Sequence, residues 1–412
     1  MNSIQFKYSS ERKVADLNAL KHFEKIINDP KIGFFHWTED NTVLHEVEQT
    51  YLKFKHKKLF VHIGIGGSSL GPEMLVSALK KNHDVRFVFI NNIDSDEIHD
   101  QLNGLNAKDA LFYVVSKSGT TAETMAALSI VMNWGQFKNS EMKDHFVFCT
   151  DPHSGDLRQM AKDLSISCLT VPSSIGGRFS ALTSVGLFPA SFAGISNKDL
   201  FTGAERMKKI LLEKNELNPM LTTAEMLLEL KATGVSQTVL MPYSSKLRNL
   251  SFWFVQLWAE SLGKKKNKSG QVVNTGLTPI PSYGATDQHS QVQLFMEGPN
   301  DKCFFIVKVK HPKNNYQLAC DLNYPSLKNL SNVHLNQLME AELIGTVKAL
   351  QEAERPFVIL EIEHNNEESL GAMILFFESL TALMGYHLNI DPFDQPGVEA
   401  GKKYAWEHIK GS

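Results

Sequence analysis

Arginine is scarce in this chain: of 42 basic residues only seven are Arg and the rest are Lys. Acidic residues number 45, so the formal net charge is −3. That balance excludes a generally basic nucleic-acid binder. An anionic ligand would have to be held by local chemistry and not by the field of the whole molecule. Cysteine is equally sparse. Cys149, Cys168, Cys303 and Cys320 lie far apart with no C-x-x-C pair, which suits a reduced compartment better than a disulfide framework or a zinc site. No apolar run approaches the ~20 residues that span a bilayer. The opening MNSIQFKYSSERKVADL carries charges where a signal peptide needs an apolar core. A cytoplasmic protein with no membrane or nucleic-acid partner is therefore expected.

The chain is too long for one ordinary core: 412 residues suggest two or three units. With 42% apolar and 21% charged residues it has the composition of a globular protein. Beyond residue 56, apolar runs alternate with stretches of helical period, the pattern of βα units and a largely parallel sheet. Runs at 59–65, 86–90, 110–115, 145–149 and 166–171 read as strands. A Leu- and Met-rich helical stretch over 198–233 follows, then strand candidates at 238–241, 303–309 and 357–362. Two α/β halves joined by a helical segment is the economical organisation. The cluster Lys264-Lys265-Lys266-Asn267-Lys268 reads as a solvated loop after a helix.

Several junctions carry possible chemistry. At 63–72, IGIGGSSLGP links a strand to a helix, where glycines allow close backbone approach and free N–H groups favour an anion. Ser69 stands where a dinucleotide fingerprint needs its third glycine, and no Gly-Lys-Ser/Thr follows. A tight turn with close helix packing explains these residues equally well. At 116–124, SKSGTTAET follows ALFYVV and precedes a helix. Five hydroxyls around one lysine and one glycine suit a phosphomonoester cradle. An ordinary capping box of Thr120 with Glu123 would explain one hydroxyl but not the cluster.

Gly176-Gly177-Arg178-Phe179-Ser180 sets one of the few arginines beside two glycines, where its planar fork could meet an oxyanion. A surface turn is the alternative. The stretch 247–263 is strongly helical. Within it Gln256 and Glu260 share a face, and Glu260 lies one turn before Gly263, a position suited to a general base. A surface Glu paired with lysine is the common alternative. Gly284-Ala285-Thr286-Asp287-Gln288-His289-Ser290 reads as the opening of a helix that ends before Gly298. Near the C-terminus, FDQPGVEAGK places Gln395 and Lys402 ahead of a short terminal helix.

Taken together and in order, IGIGGSSLGP, SKSGTTAET, GGRFSAL, AESLGK, GATDQHSQ and FDQPGVEAGKKYA span positions 63–405 and resemble the glucose-6-phosphate (phosphoglucose) isomerase family. SKSGTT, where longer eukaryotic members tend to carry SKTFTT, resembles the compact bacterial branch and keeps the hydroxyls. The resemblance implies an α/β fold of two SIS-type (flavodoxin-like) three-layer αβα domains with mostly parallel sheets and a C-terminal helical tail. The expected layout is an N-terminal segment 1–56, a first domain 57–197, a helical connection 198–235, a second domain 236–390 and a tail 391–412 completing the site.

The implied reaction is reversible interconversion of D-glucose 6-phosphate and D-fructose 6-phosphate through an enediolate, without metal or organic cofactor. Carried over residue by residue, Ser116, Ser118 and Thr121 match the phosphate contacts, with Lys117 and Thr120 in the same loop. Gly67 and Ser68 match the sugar-contacting loop. Glu260 matches the base acting between C1 and C2, and Arg178 the residue stabilising the enediolate. His289 and Lys402 match the pair assisting ring opening, and Gln256 and Gln395 the substrate-positioning glutamines. The resemblance also implies a homodimer with His289 contributed across the interface. A sugar-phosphate sensor without chemistry, a nicotinamide dehydrogenase and an isomerase acting also on mannose 6-phosphate are the competing possibilities.

Overall fold

The apolar runs of the first half form one parallel sheet in the computed structural model, which describes residues 4–320 and 322–411. Residues 1–3 of the N-terminal segment and residue 412 of the tail lie outside the described residues. The strand order is Arg86–Ile90, Leu59–Ile63, Ala110–Val115, Phe146–Thr150 and Ser167–Thr170. The three central strands are buried along their whole length, as a parallel sheet covered by helices on both faces requires. Successive side chains serve opposite faces: Leu111, Tyr113 and Val115 enter one core, Phe112 and Val114 another.

A second sheet runs in the order Ile4–Tyr8, Phe357–Ile362, Lys302–Val309, Gln237–Pro242 and Thr278–Pro281. All its pairings are parallel except that of Ile4–Tyr8, which lies antiparallel on Phe357–Ile362. Two of these strands differ from the sequence expectation. Thr278–Pro281 holds Pro279 and Pro281, which only an edge strand tolerates. Ile4–Tyr8 is a half-exposed edge whose Lys7 pairs with the buried Glu361 at 3.0 Å. The inner faces of both sheets feed one continuous core, with Phe60 and Tyr113 from the first sheet and Leu240 and Phe305 from the second. Each sheet keeps its own outer core. The architecture is thus two αβα sandwiches that share their inner helices.

The helical stretch expected over 198–233 is two helices, Asn197–Leu211 and Pro219–Ala232. Asn218 separates them; its Oδ1 accepts from the Met220 and Leu221 N–H groups while Pro219 occupies the first turn. The first of these helices packs along Glu367–His387, the buried axis of the shared core. That axial helix is long and apolar enough to cross a membrane (mean hydropathy 1.4 over its most apolar 18 residues), but 94% of that stretch is buried inside the protein. The lysine cluster is not a solvated loop. Lys264–Lys266 pairs antiparallel with Val272–Thr275, and Lys264 is buried. The segment at 284 makes only a 3-10 turn, Thr286–His289, before the helix Val292–Glu297. Asp287 fixes that turn by accepting from Tyr283 N–H and the Ser282 and Ser290 hydroxyls.

Close contact between the two inner helices depends on Gly203 and Gly371. A Cβ on Gly203 would lie 2.6 Å from Glu368 Cα, and one on Gly371 2.8 Å from the Leu200 carbonyl carbon. Gly203→Ala is expected to lower stability by about 1–3 kcal/mol, the usual range for overpacking. A shift of the urea midpoint measures it; an unchanged midpoint would contradict this packing.

Candidate active site

The strand Leu59–Ile63 has Arg86–Ile90 on one side and Ala110–Val115 on the other, so the chain reverses its winding between them. In open α/β sheets, ligands bind outside the carboxyl ends of the strands at such a point. The two loops singled out from sequence sit there: the glycine loop after Ile63 and the hydroxyl loop after Val115. Thr121, and not Thr120, is the residue before the helix Ala122–Trp134, and no side chain caps that helix. The capping-box explanation therefore does not hold. Instead the hydroxyls bond one another: Ser116 Oγ lies 2.8 Å from Thr121 Oγ1, and Thr120 Oγ1 donates to Ser118 Oγ at 3.3 Å. The result is a cluster of hydroxyls beside an uncapped helix N-terminus, a favourable place for a phosphate.

Lys117 does something other than join that cluster. Its ammonium donates to the carbonyls of Ser173 and Ile175 at 2.9 and 2.8 Å. Burial lowers its pKa below the usual lysine range, against the pull of Asp151. Lys117 therefore ties the hydroxyl loop to the segment that leads into Gly176-Gly177-Arg178.

Arg178 is the centre of the second cluster and is only 3% exposed. Its Nε donates to Ser261 Oγ at 2.8 Å. Nη1 donates to Glu260 Oε2 at 3.2 Å and to Gln395 Oε1 at 2.8 Å. Nη2 donates to the carbonyls of Pro392 at 2.7 Å and Asp394 at 3.0 Å. All five N–H groups of the guanidinium are engaged. Burial pulls its pKa down, and Glu260 chiefly offsets the shift. Glu260 also accepts from Gln256 Nε2 at 3.2 Å, which completes the row Gln256–Glu260–Arg178–Gln395.

The glycine loop reaches this row by backbone contact. Gly67 packs on Gly177 so closely that a Cβ on Gly67 would come 2.7 Å from the Arg178 backbone nitrogen, and a Cβ on Gly66 2.9 Å from Gln256 Nε2. The helix Arg248–Leu262, which follows a strand of the second sheet, thus delivers Gln256 and Glu260 to the carboxyl edge of the first. Both sheets contribute to one site.

Two expected members stand apart. The His289 side chain is exposed and makes no hydrogen bond among the described residues, while its neighbour Gln288 is anchored on Tyr243 and Thr346. Lys402 lies on the helix Glu399–Gly411, which has no buried residue, and pairs with Glu399 at 3.0 Å. Of the tail, then, the stretch 391–395 closes on the site and the helix after it does not. Sequence reasoning missed Ser261, Lys264 and Asp394. Lys264 ends the motif AESLGK, but it was masked by the charges that follow it.

The family profile for phosphoglucose isomerase matches residues 47–411. The chain belongs to that family. The glucose-6-phosphate isomerase of Carboxydothermus hydrogenoformans is 37% identical over 388 residues, covering 90% of this chain and 84% of the relative. A glucose-6-phosphate isomerase of Thermus thermophilus is 36% identical over 381 residues, covering 92% and 90%. Among solved structures, a hypothetical protein from Thermus thermophilus superimposes with a TM-score of 0.89 at 34% identity, covering 95% of this chain and 94% of its own. The fold is the pair of αβα sandwiches with mostly parallel sheets that the resemblance implied.

His62 holds the glycine loop from below. It is fully buried between Tyr113 and Phe89, and its Nε2 donates to the Ser68 carbonyl at 2.7 Å. Nδ1 has no partner among the described residues, so protonation would place an unpaired charge in an apolar wall. Burial accordingly lowers the His62 pKa to about 4 from 6.5. The unfolded chain then binds the extra proton between these values, and His62 removes stability as pH falls from about 6.5 toward about 4. In His62→Gln, which keeps a donor, the stability lost between pH 7 and pH 5 is expected to shrink by roughly 2 kcal/mol. Urea titrations at the two pH values measure it; an unaltered loss would show that His62 is not held neutral.

Proposed function

We infer that this chain is an aldose–ketose isomerase interconverting D-glucose 6-phosphate and D-fructose 6-phosphate. The observation that carries the assignment of roles is the Arg178–Glu260 pair, set at a topological switch point beside a hydroxyl cradle. Ser116, Ser118, Thr120 and Thr121 hold the phosphate, with the helix N-terminus behind them. Gly67 and Ser68 border the sugar, and Gln256 and Gln395 position it. After ring opening, Glu260 takes the proton from C2 of the aldose and returns it to C1, with the enediolate between the two transfers. A sensor without chemistry has no use for a carboxylate placed against this arginine. A dinucleotide loop is disfavoured too, since Ser69 stands where its fingerprint needs the third glycine.

The saturation of Arg178 shapes the chemistry. Its Nη1 divides its hydrogens between Glu260 and Gln395, so a sugar oxygen gains one only as another acceptor yields. Proton abstraction supplies the occasion. As Glu260 becomes neutral, its hold on Nη1 weakens while negative charge grows on the enediolate oxygen. The guanidinium thus follows the charge from carboxylate to enediolate with little movement, the preorganised stabilisation typical of enzyme sites.

Ring opening is assigned to His289 and Lys402, which lie outside the row within one chain. The outward position of His289 supports a homodimer in which it enters the partner's site. The exposure of Tyr404, Trp406 and Ile409 on the terminal helix supports docking of that helix when Lys402 acts. The free cysteines suit a cytoplasmic setting.

Mixed dimers test the shared site and the base together. Glu260→Gln and His289→Leu are each expected to lower kcat by about 10²–10⁴-fold, the usual worth of general acid–base groups. Random mixing of the two variants would recover about one quarter of wild-type activity, because half the dimers then hold one intact site. A mixture no more active than its parents would refute the crossed histidine, and normal turnover by Glu260→Gln would refute the base.

A further inference from the structure

Among the described residues of the 264–268 cluster, Lys264 alone turns inward. Lys265, Lys266 and Lys268 are exposed, whereas Lys264 is 7% exposed. Its ammonium donates to the Glu260 carbonyl at 2.7 Å and to the Asp394 carbonyl at 2.6 Å, and lies 3.1 Å from Asp394 Oδ1. Three N–H groups meet three acceptors, so none remains for a ligand. Burial lowers its pKa, opposed by Asp394. Removing a lysine from water is costly unless its partners are well placed, and here both belong to the site: the last turn of the helix bearing Glu260, and the tail stretch bearing Gln395.

We propose that Lys264 is a positioning residue for the isomerisation, clasping the C-terminal tail to the helix that carries Glu260. The Asp394 carbonyl accepts from both Lys264 Nζ and Arg178 Nη2, so two buried cations meet at one tail oxygen. The Asp394 carboxylate keeps them from facing each other uncompensated. On the other side of the tail, Phe393 packs against Phe34 and Phe179 at 6.2 and 5.4 Å between ring centroids. These aromatic contacts steer the tail, but they do not set its register. The Lys264 clasp shares that task with the Arg178 bonds to Pro392 and Asp394, and so helps to present Gln395 to Arg178 and to fix the origin of the helix carrying Lys402. The inference rests on the roles proposed above for Arg178 and Gln395.

Lys264→Met and Lys264→Arg separate this role from a general loss of structure. In Lys264→Met, chymotryptic cleavage after Phe393 should accelerate at least about tenfold and kcat should fall by about ten- to a hundredfold, the scale of a misplaced catalytic group. Competitive inhibition by inorganic phosphate should stay within about twofold, because the hydroxyl loop is not part of the clasp. Lys264→Arg, which keeps a buried cation, should recover much of both. If Lys264→Met does not fold, Asp394→Asn tests the same clasp from its exposed side, with a smaller fall in kcat expected. Wild-type kcat and unchanged cleavage in Lys264→Met or Asp394→Asn would overturn the proposal, as would loss of phosphate inhibition. Tail release with full turnover would show that the clasp exists but does not serve the reaction, while leaving the Glu260 assignment standing.

Discussion

Arg178 carries a charge taken almost wholly out of water, and such a group persists only when each of its N–H groups finds an acceptor. Its five acceptors come from two separate stretches of chain: Glu260 and Ser261 at the end of one helix, and Pro392, Asp394 and Gln395 in the tail. Gly67, from a third stretch, presses on the turn that presents it. The geometry of the site therefore depends on one side chain. Moving any of these segments would leave a buried donor or carbonyl unpaired, at about 1–3 kcal/mol each.

This arrangement also explains how a chain of net charge −3 with seven arginines can handle a doubly charged substrate. The positive charge at the site is local and already compensated, by Glu260 on Arg178 and by Asp394 on Lys264. The proposed phosphate cradle consists of hydroxyls and backbone N–H groups, which need no net field. Lys117, the one cation inside the hydroxyl loop, faces carbonyls of the neighbouring segment and acts as a tie between the two clusters.

Much of the fold was legible because buried parallel strands are continuous apolar runs: Ala110–Val115 and Phe357–Ile362 were placed to the residue. The edge strands were not. Ile4–Tyr8 alternates with charge, and Thr278–Pro281 carries prolines, so neither has the signature of a buried strand. In the site, Gln256, Glu260, Arg178 and Gln395 stood out by residue type and motif, and they do meet. Lys264 did not stand out, because the burial of one lysine in a row of lysines is decided by a tail 130 residues away. Nor could composition tell that the two loops flank the point where the sheet reverses, since strand order is set by packing across the whole sheet.

In the proposed reaction a fully engaged guanidinium, and not merely a positive charge, organises the site and stabilises the enediolate. Arg178→Lys keeps the charge but offers three N–H groups in place of five, without the planar fork. Its kcat for glucose 6-phosphate should fall by about 10²–10³-fold, the usual cost of losing one transition-state stabiliser, while inhibition by inorganic phosphate is retained. Turnover within about twofold of wild type would show that charge alone suffices, and would contradict this role of the guanidinium.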